Sequence, residues 1–268
     1  MTAPMEPLPT PSSTSPQVKR PPRLLVVNPN TSTGVSALLQ VHVTGLAGPG
    51  VEVSTVTARL GAPYIADEAG YAVAGHATLD AWAAALVPPA EAPDGVLIGC
   101  FGDPGLFALR ESSPVPVTGL AEAAFRQAAA RGRFAVVTGG AAWEPMLRRL
   151  AWALGCGEAL AGVVTVAPSG AELAADPQQA QAVLAGACRD AAALPGVAAV
   201  IVGGAGLAGM AALLQPGSAA PLIDSVAAGT EEILRAMAAG APPGAHAVAR
   251  CAVAWSGVSV ELMALGSA

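Results

Sequence analysis

The string Asp94–Leu106, DGVLIGCFGDPGL, returns 104 positions later as Ala198–Met210, AAVIVGGAGLAGM, with Val96/Val200, Gly99/Gly203, Gly102/Gly206 and Gly105/Gly209 identical. Each copy reads as a short buried strand, a glycine-rich turn and the start of a helix. A second pairing supports the repeat: Arg23–Asn30, RLLVVNPN, matches Arg133–Gly140, RFAVVTGG. A chain that repeats such units is constrained to two alike α/β halves. In an open parallel sheet, ligands bind outside the C-terminal ends of the strands. The copies differ at that very place, where Cys100 in the first is answered by Gly204 in the second.

Strand and helix patterns alternate along the chain. Strands are expected at Leu24–Val27, Val51–Val56, Val96–Ile98, Pro116–Thr118, Phe134–Thr138, Val163–Val166, Val200–Val202 and Pro221–Ile223, with a further candidate at Ala247–Ala254. Helices are expected from near Val35, over Glu68–Leu86, Leu120–Ala130, Trp143–Leu154, Ala171–Ala193 and Ser225–Ala238. The expected architecture is two pseudo-symmetric lobes, each a parallel sheet flanked by helices, with the site in the cleft between them. Residues 1–22, rich in Pro, Ser and Thr, read as a disordered tail without an apolar signal segment. Residues 23–116 plus 218–268 are assigned to the first lobe and 117–217 to the second. The uncharged stretch Ala191–Ile223 is long enough to span a bilayer, but Pro195, Pro216 and its glycines divide it into strand, turn and helix lengths.

Composition narrows the chemistry. A net charge of −6 argues against nucleic acid or an anionic membrane as partner. The sole lysine, Lys19, lies in the tail, which excludes a Schiff-base cofactor site and a GxxxxGK[ST] phosphate loop. Cys100, Cys156, Cys188 and Cys251 form no CxxC pair, and His42, His76 and His246 form no HxxH or HxxxH pair. Neither a metal site nor any other cofactor is expected. The thiols read as reduced and the protein as cytoplasmic. Alanine supplies much of the 53% hydrophobic content, which suits close helix packing and a homo-oligomer.

Cys100 has a bland reading as a small buried hydrophobe. Its place in a glycine turn before Asp103-Pro104 favours a reactive thiol, because exposed amides at a helix start hold anions and thiolates. The run Gly204-x-Gly206-x-x-Gly209, with Asp224 beyond it, matches a dinucleotide fingerprint in letters. Too little chain follows it to complete a βαβαβ half. His76 falls on the apolar stripe Val73–His76–Leu79–Ala83–Leu86, as a core histidine or as a second acid/base. Asn28 and Asn30 follow the first strand and Thr138-Gly139 its counterpart, so these strand ends are expected at the cleft. Tyr64, in the loop before the second helix, either packs or touches ligand.

NPNTS at Asn28–Ser32, GCFGDPGL at Gly99–Leu106, FAVVTGG at Phe134–Gly140, IVGGAG at Ile201–Gly206 and PLIDSVAA at Pro221–Ala228 together resemble the aspartate/glutamate/hydantoin racemase superfamily, nearest its hydantoin/allantoin branch. The resemblance implies two lobes, no cofactor, and a pair of cysteines that exchange a proton on opposite faces of a carbon alpha to a carbonyl. It places Cys100 as the first of these, and Asn28, Phe101, Gly102 and Thr138 along the substrate. Gly204 stands where the second cysteine belongs. The expected function is a cofactor-independent racemase or epimerase acting on an amino-acid derivative, hydantoin-like or similar, through Cys100. Amides around Phe101–Gly102 and Gly204–Ala205 would stabilise the oxyanion. A single-cysteine decarboxylase or lyase is the alternative. A non-catalytic small-molecule binder is the second. The expected partner is a small-molecule substrate with a carboxylate or a cyclic amide.

Overall fold

The computed structural model describes residues 20–88, 91–167, 172–173, 176–240 and 254–266. Eight strands form two parallel sheets of identical order. β1 (Arg23–Asn28), β2 (Glu52–Thr57), β3 (Gly95–Ile98) and β4 (Val117–Gly119) run β2-β1-β3-β4. β5 (Arg133–Gly139), β6 (Leu160–Val166), β7 (Val197–Val202) and β8 (Leu222–Asp224) run β6-β5-β7-β8. In each sheet the chain reverses its direction of winding between the two central strands, and there a crevice opens at their C-terminal ends. One hydrogen bond marks the spot in both halves: Gly99 N–H donates to Val27 O (2.8 Å), and Gly203 N–H to Val137 O (2.9 Å).

Both faces of each central strand are covered, as parallel sheets require. Leu24, Val26 and Leu97 of the first sheet share one core with Phe134, Val136 and Ile201 of the second. The alternate residues face outward into separate cores. Leu25, Val27 and Ile98 meet Trp82 and Leu109, while Val137 and Val202 meet Leu184 and Met210. Side-chain caps start the helices where sequence placed Ser, Asp or Asn ahead of an apolar run. Ser32 caps Thr33–Ala47, Asp67 caps Glu68–Ala85, and Asp224 caps Ser225–Ala239.

The lobe boundaries differ from expectation by one strand each. β4 pairs with β3 (Ile98↔Gly119) and so belongs to the first sheet, and β8 pairs with β7 (Val202↔Asp224) in the second. The chain changes lobe after these strands, not before them. Helix Leu120–Ala129 leaves the first sheet and sets Phe125 against Phe134 of β5 (ring centroids 5.5 Å apart). Helix Ser225–Ala239 leaves the second sheet and covers β3. A Cβ on Gly95 would lie 2.6 Å from Met237, and one on Gly229 would lie 3.1 Å from Leu97.

Residues 1–19 of the expected tail and most of the candidate strand 247–254 lie outside the described residues. The uncharged stretch resolves into β7, the short turn Ala205–Leu207, helix Met210–Leu214 and β8. Among the described residues no helix is long and apolar enough to cross a membrane.

Two aromatic rings lock the lobes across the cleft. Phe101, after β3, lies on Gly203, where an added Cβ would sit 2.2 Å from its ring. Trp143, at the start of helix Trp143–Ala153, lies on Gly102, where the equivalent distance is 2.3 Å. Gly203→Ala should therefore cost about 1–3 kcal/mol by overpacking, read as a lower urea midpoint at constant m-value. An unchanged midpoint would show that the rings do not pack as described.

Candidate active site

The strand ends and one loop enclose a cleft with about 580 Å3 of empty space, part of it open to solvent. Cys100 lies 8% exposed at the end of β3, as a free thiol. Burial, reinforced by the nearby Asp103 carboxylate, pushes this thiol well above the ordinary range. It is therefore protonated at neutral pH.

On the second-lobe side, the wall Gly203–Gly206 carries no side chain beyond the Ala205 methyl. Gly204 has φ 151°, a conformation that disfavours any side chain, and a Cβ there would meet Leu207 at 3.3 Å. Its N–H donates to Ser225 Oγ (3.2 Å).

The asparagines after β1 divide their work. Asn28 is fully buried, and its side-chain amide donates toward Asn30 Oδ1, Ser32 O and Ser36 Oγ, each at 3.0 Å. Asn30 Oδ1 also accepts from Ser32 N–H (2.9 Å), which fixes that atom as the oxygen. The Asn30 NH2 group has no partner among the described residues, and Asn30 lines the cleft, so two donor hydrogens are free for a ligand. Tyr64 comes from the loop between β2 and the next helix, and its hydroxyl donates to Gly139 O (3.2 Å) in the other lobe. That loop is tied to the first strand end by Thr31 N–H donating to Ala62 O (3.1 Å).

Of the expected site residues, Asn30, Tyr64, Cys100, Phe101, Thr138, Gly139, Gly204 and Ala205 line one cleft. Three do not. Asn28 sits behind Asn30 and aims it. Gly102 is covered by Trp143, and its carbonyl accepts from the Tyr71 hydroxyl (2.8 Å). His76 is exposed and away from the cleft. The buried face of its helix runs through Ala74, Ala77, Thr78, Ala81 and Trp82, while Val73 is 44% exposed. In an alanine-rich helix the valine was a misleading marker of the inner face. Sequence reasoning missed Val35, Pro63, Ile65 and Trp143, which give the cleft its apolar side. Trp143 was within reach of the repeat, since it follows β5 as Thr33 follows β1.

Among the described residues no Asp, Glu, Lys, Arg or His lines the cleft. Among the described residues no group of three or more His, Cys, Asp or Glu is gathered to hold a metal ion.

The Asp/Glu/hydantoin racemase family model matches residues 24–233. The chain belongs to that family. Among relatives of this racemase-family chain, the hydantoin racemase of Paenarthrobacter aurescens is 28% identical over 208 residues, covering 77% of this chain and 87% of that one. The allantoin racemase from Klebsiella pneumoniae superposes with a TM-score of 0.80 at 28% identity, covering 92% of this chain and 99% of that one. The allantoin racemase from Pseudomonas fluorescens gives 0.71 at 25% identity, over 80% and 91%.

The protonated thiol makes a measurable statement. Alkylation of Cys100 by iodoacetamide, followed by peptide mass spectrometry, should stay slow at neutral pH and keep rising beyond about pH 9. A plateau below about pH 8 would mean that the protein already activates the thiol without substrate.

Proposed function

We propose that this protein is a cofactor-independent racemase- or epimerase-type isomerase that moves the α-proton of a neutral cyclic amide of the hydantoin kind, with Cys100 as acid and base. The observation that carries this reading is a single thiol in a cleft that the described residues line with amides, hydroxyls and apolar side chains and with no charged group. A zwitterionic amino acid would have to leave water there without a counter-charge, at a cost of several kcal/mol per charge. A neutral ring has no such penalty. Its carbonyls suit the Asn30 NH2, the Thr138 hydroxyl and the backbone N–H groups of Ala205 and Gly206. A substituent on the reacting carbon suits Val35, Pro63, Ile65, Phe101 and Trp143.

In the reaction, the Cys100 thiol first gives its proton to water; the thiolate then takes the α-proton from one face, while the C–H electron pair passes to the carbonyl oxygen as an enolate. Backbone N–H groups aimed at that oxygen stabilise it. Racemization needs a proton on the other face, where Gly204 offers none. A water in the space beside Gly204 would supply it, and the hydroxide left behind would recover the proton from Cys100. The protonated resting thiol favours one further reading, a one-thiol decarboxylase that protonates a single face after loss of CO2. We place the enzyme in the cytoplasm as a homo-oligomer, a reading supported by the free buried thiols and by exposed Val41, Trp152 and Leu213.

Incubation of a single enantiomer of a 5-substituted hydantoin in D2O tests the proposal. Deuterium at the α-carbon with loss of optical rotation is the expected result. Release of CO2 from a malonate-type acid without exchange would establish the decarboxylase, and binding with neither outcome would overturn both. Cys100→Ala should lower turnover more than about 100-fold, roughly 2.7 kcal/mol of barrier, without changing the fold. A loss of less than about tenfold would remove Cys100 from the mechanism.

A further inference from the structure

Asp103 is buried, three residues past Cys100, with φ 51° in the left-handed region that a non-glycine residue seldom occupies. Its backbone closes the cysteine turn: Asp103 N–H donates to Cys100 O (3.1 Å), and Asp103 O accepts from Leu106 N–H (3.1 Å). Its carboxylate leaves this loop and accepts from the N–H groups of Ala121 (2.9 Å) and Glu122 (2.7 Å), in the first turn of helix Leu120–Ala129. Gly119 makes room for it, since a Cβ there would lie 2.1 Å from the carboxylate carbon.

The second half meets the same need from the other side. By strand register Asp224 is the counterpart of Gly119, and by the repeat Leu207 is the counterpart of Asp103. Asp224 Oδ1 accepts from Val226 N–H (2.9 Å) and Ala227 N–H (3.1 Å), in the first turn of the helix after β8. Its Oδ2 accepts from Gly209 N–H (2.6 Å), in the loop after β7. Each lobe thus uses one carboxylate to tie the loop after its central strand to the helix after its last strand. In the thiol-bearing lobe the carboxylate rides on the loop, and in the other it rides on the strand.

We infer that Asp103 is the positioning residue for Cys100: its carboxylate pins the cysteine turn to the helix Leu120–Ala129 and holds a negative charge beside the thiol. The inference rests on Cys100 being the reacting group, but alkylation reads it without any substrate. Tyr71, Arg110 and Glu122, the last paired with Arg126, are the other titratable or charged groups around Asp103. Burial pushes the Asp103 carboxyl up to about 7 against the pull of its two amide bonds. It is therefore ionised throughout the higher range in which the thiol titrates.

Three variants test the assignment. Asp103→Asn keeps an acceptor and removes the charge, so the pH dependence of Cys100 alkylation should move down by about one unit. Asp103→Leu should lower kcat at least tenfold with little change in KM. Asp103→Leu/Gly119→Asp rebuilds the arrangement of the second lobe in the first. It should recover at least half of wild-type kcat and return the alkylation profile to its wild-type position. An Asp103→Asn profile identical to wild type overturns the inference, as does a double variant that stays as slow as Asp103→Leu or fails to fold. Cys100→Ala activity close to wild type would instead remove the mechanism while leaving the alkylation result intact.

Discussion

The exchange of two helices between sheets is the constraint on which the rest of this structure depends. Leu120–Ala129 and Ser225–Ala239 each follow a strand of one sheet and cover the other. Neither sheet can bury its inner face without chain delivered from the far half, so the two crevices are held in a fixed relation. The cleft inherits that rigidity. Phe101 of the first lobe and Trp143 of the second then close it from either side, each lying on a glycine of the opposite lobe.

Backbone, not side chains, makes much of the wall, because the strand ends approach closely and glycine alone fits there. Gly99 shows the limit, with Leu39 only 2.6 Å from where its Cβ would be. A wall of that kind is rich in N–H donors and poor in charge. It stabilises an oxygen that becomes negative during reaction more than one that is negative beforehand. The buried Asn28, by committing both its amide and its carbonyl to neighbours, turns the Asn30 side chain into a donor of fixed direction.

Much of this was legible in the sequence, for a physical reason. Glycine spacing and short apolar runs carry the strand–turn–helix unit, and a repeat of that unit implies matched crevices, so Cys100, Phe101, Thr138 and Gly204 could be placed together in advance. The lobe boundaries were less legible. Pro116 and Pro221 mark where short strands begin, while membership of a sheet is decided by hydrogen bonds such as that from Val96 N–H to Pro116 O, which no local pattern encodes. His76 was misplaced because alanine on every side of its helix leaves no polar–apolar contrast to reveal the inner face. Asn28 and Asn30 are chemically identical in sequence, and only the partners of each amide tell the committed side chain from the one that faces the cleft.

The helix exchange also orders events during synthesis. The first sheet, β1 to β4, is complete by Gly119, yet part of its inner cover is the helix Ser225–Ala239, more than a hundred residues later. Until that helix leaves the ribosome, Leu97 and the bare backbone of Gly95 face water or a transient partner. A nascent chain in this condition carries an apolar sheet face while more than a hundred further residues are made. The cost of truncating the chain before residue 225 thus follows from the same crossing that builds the cleft.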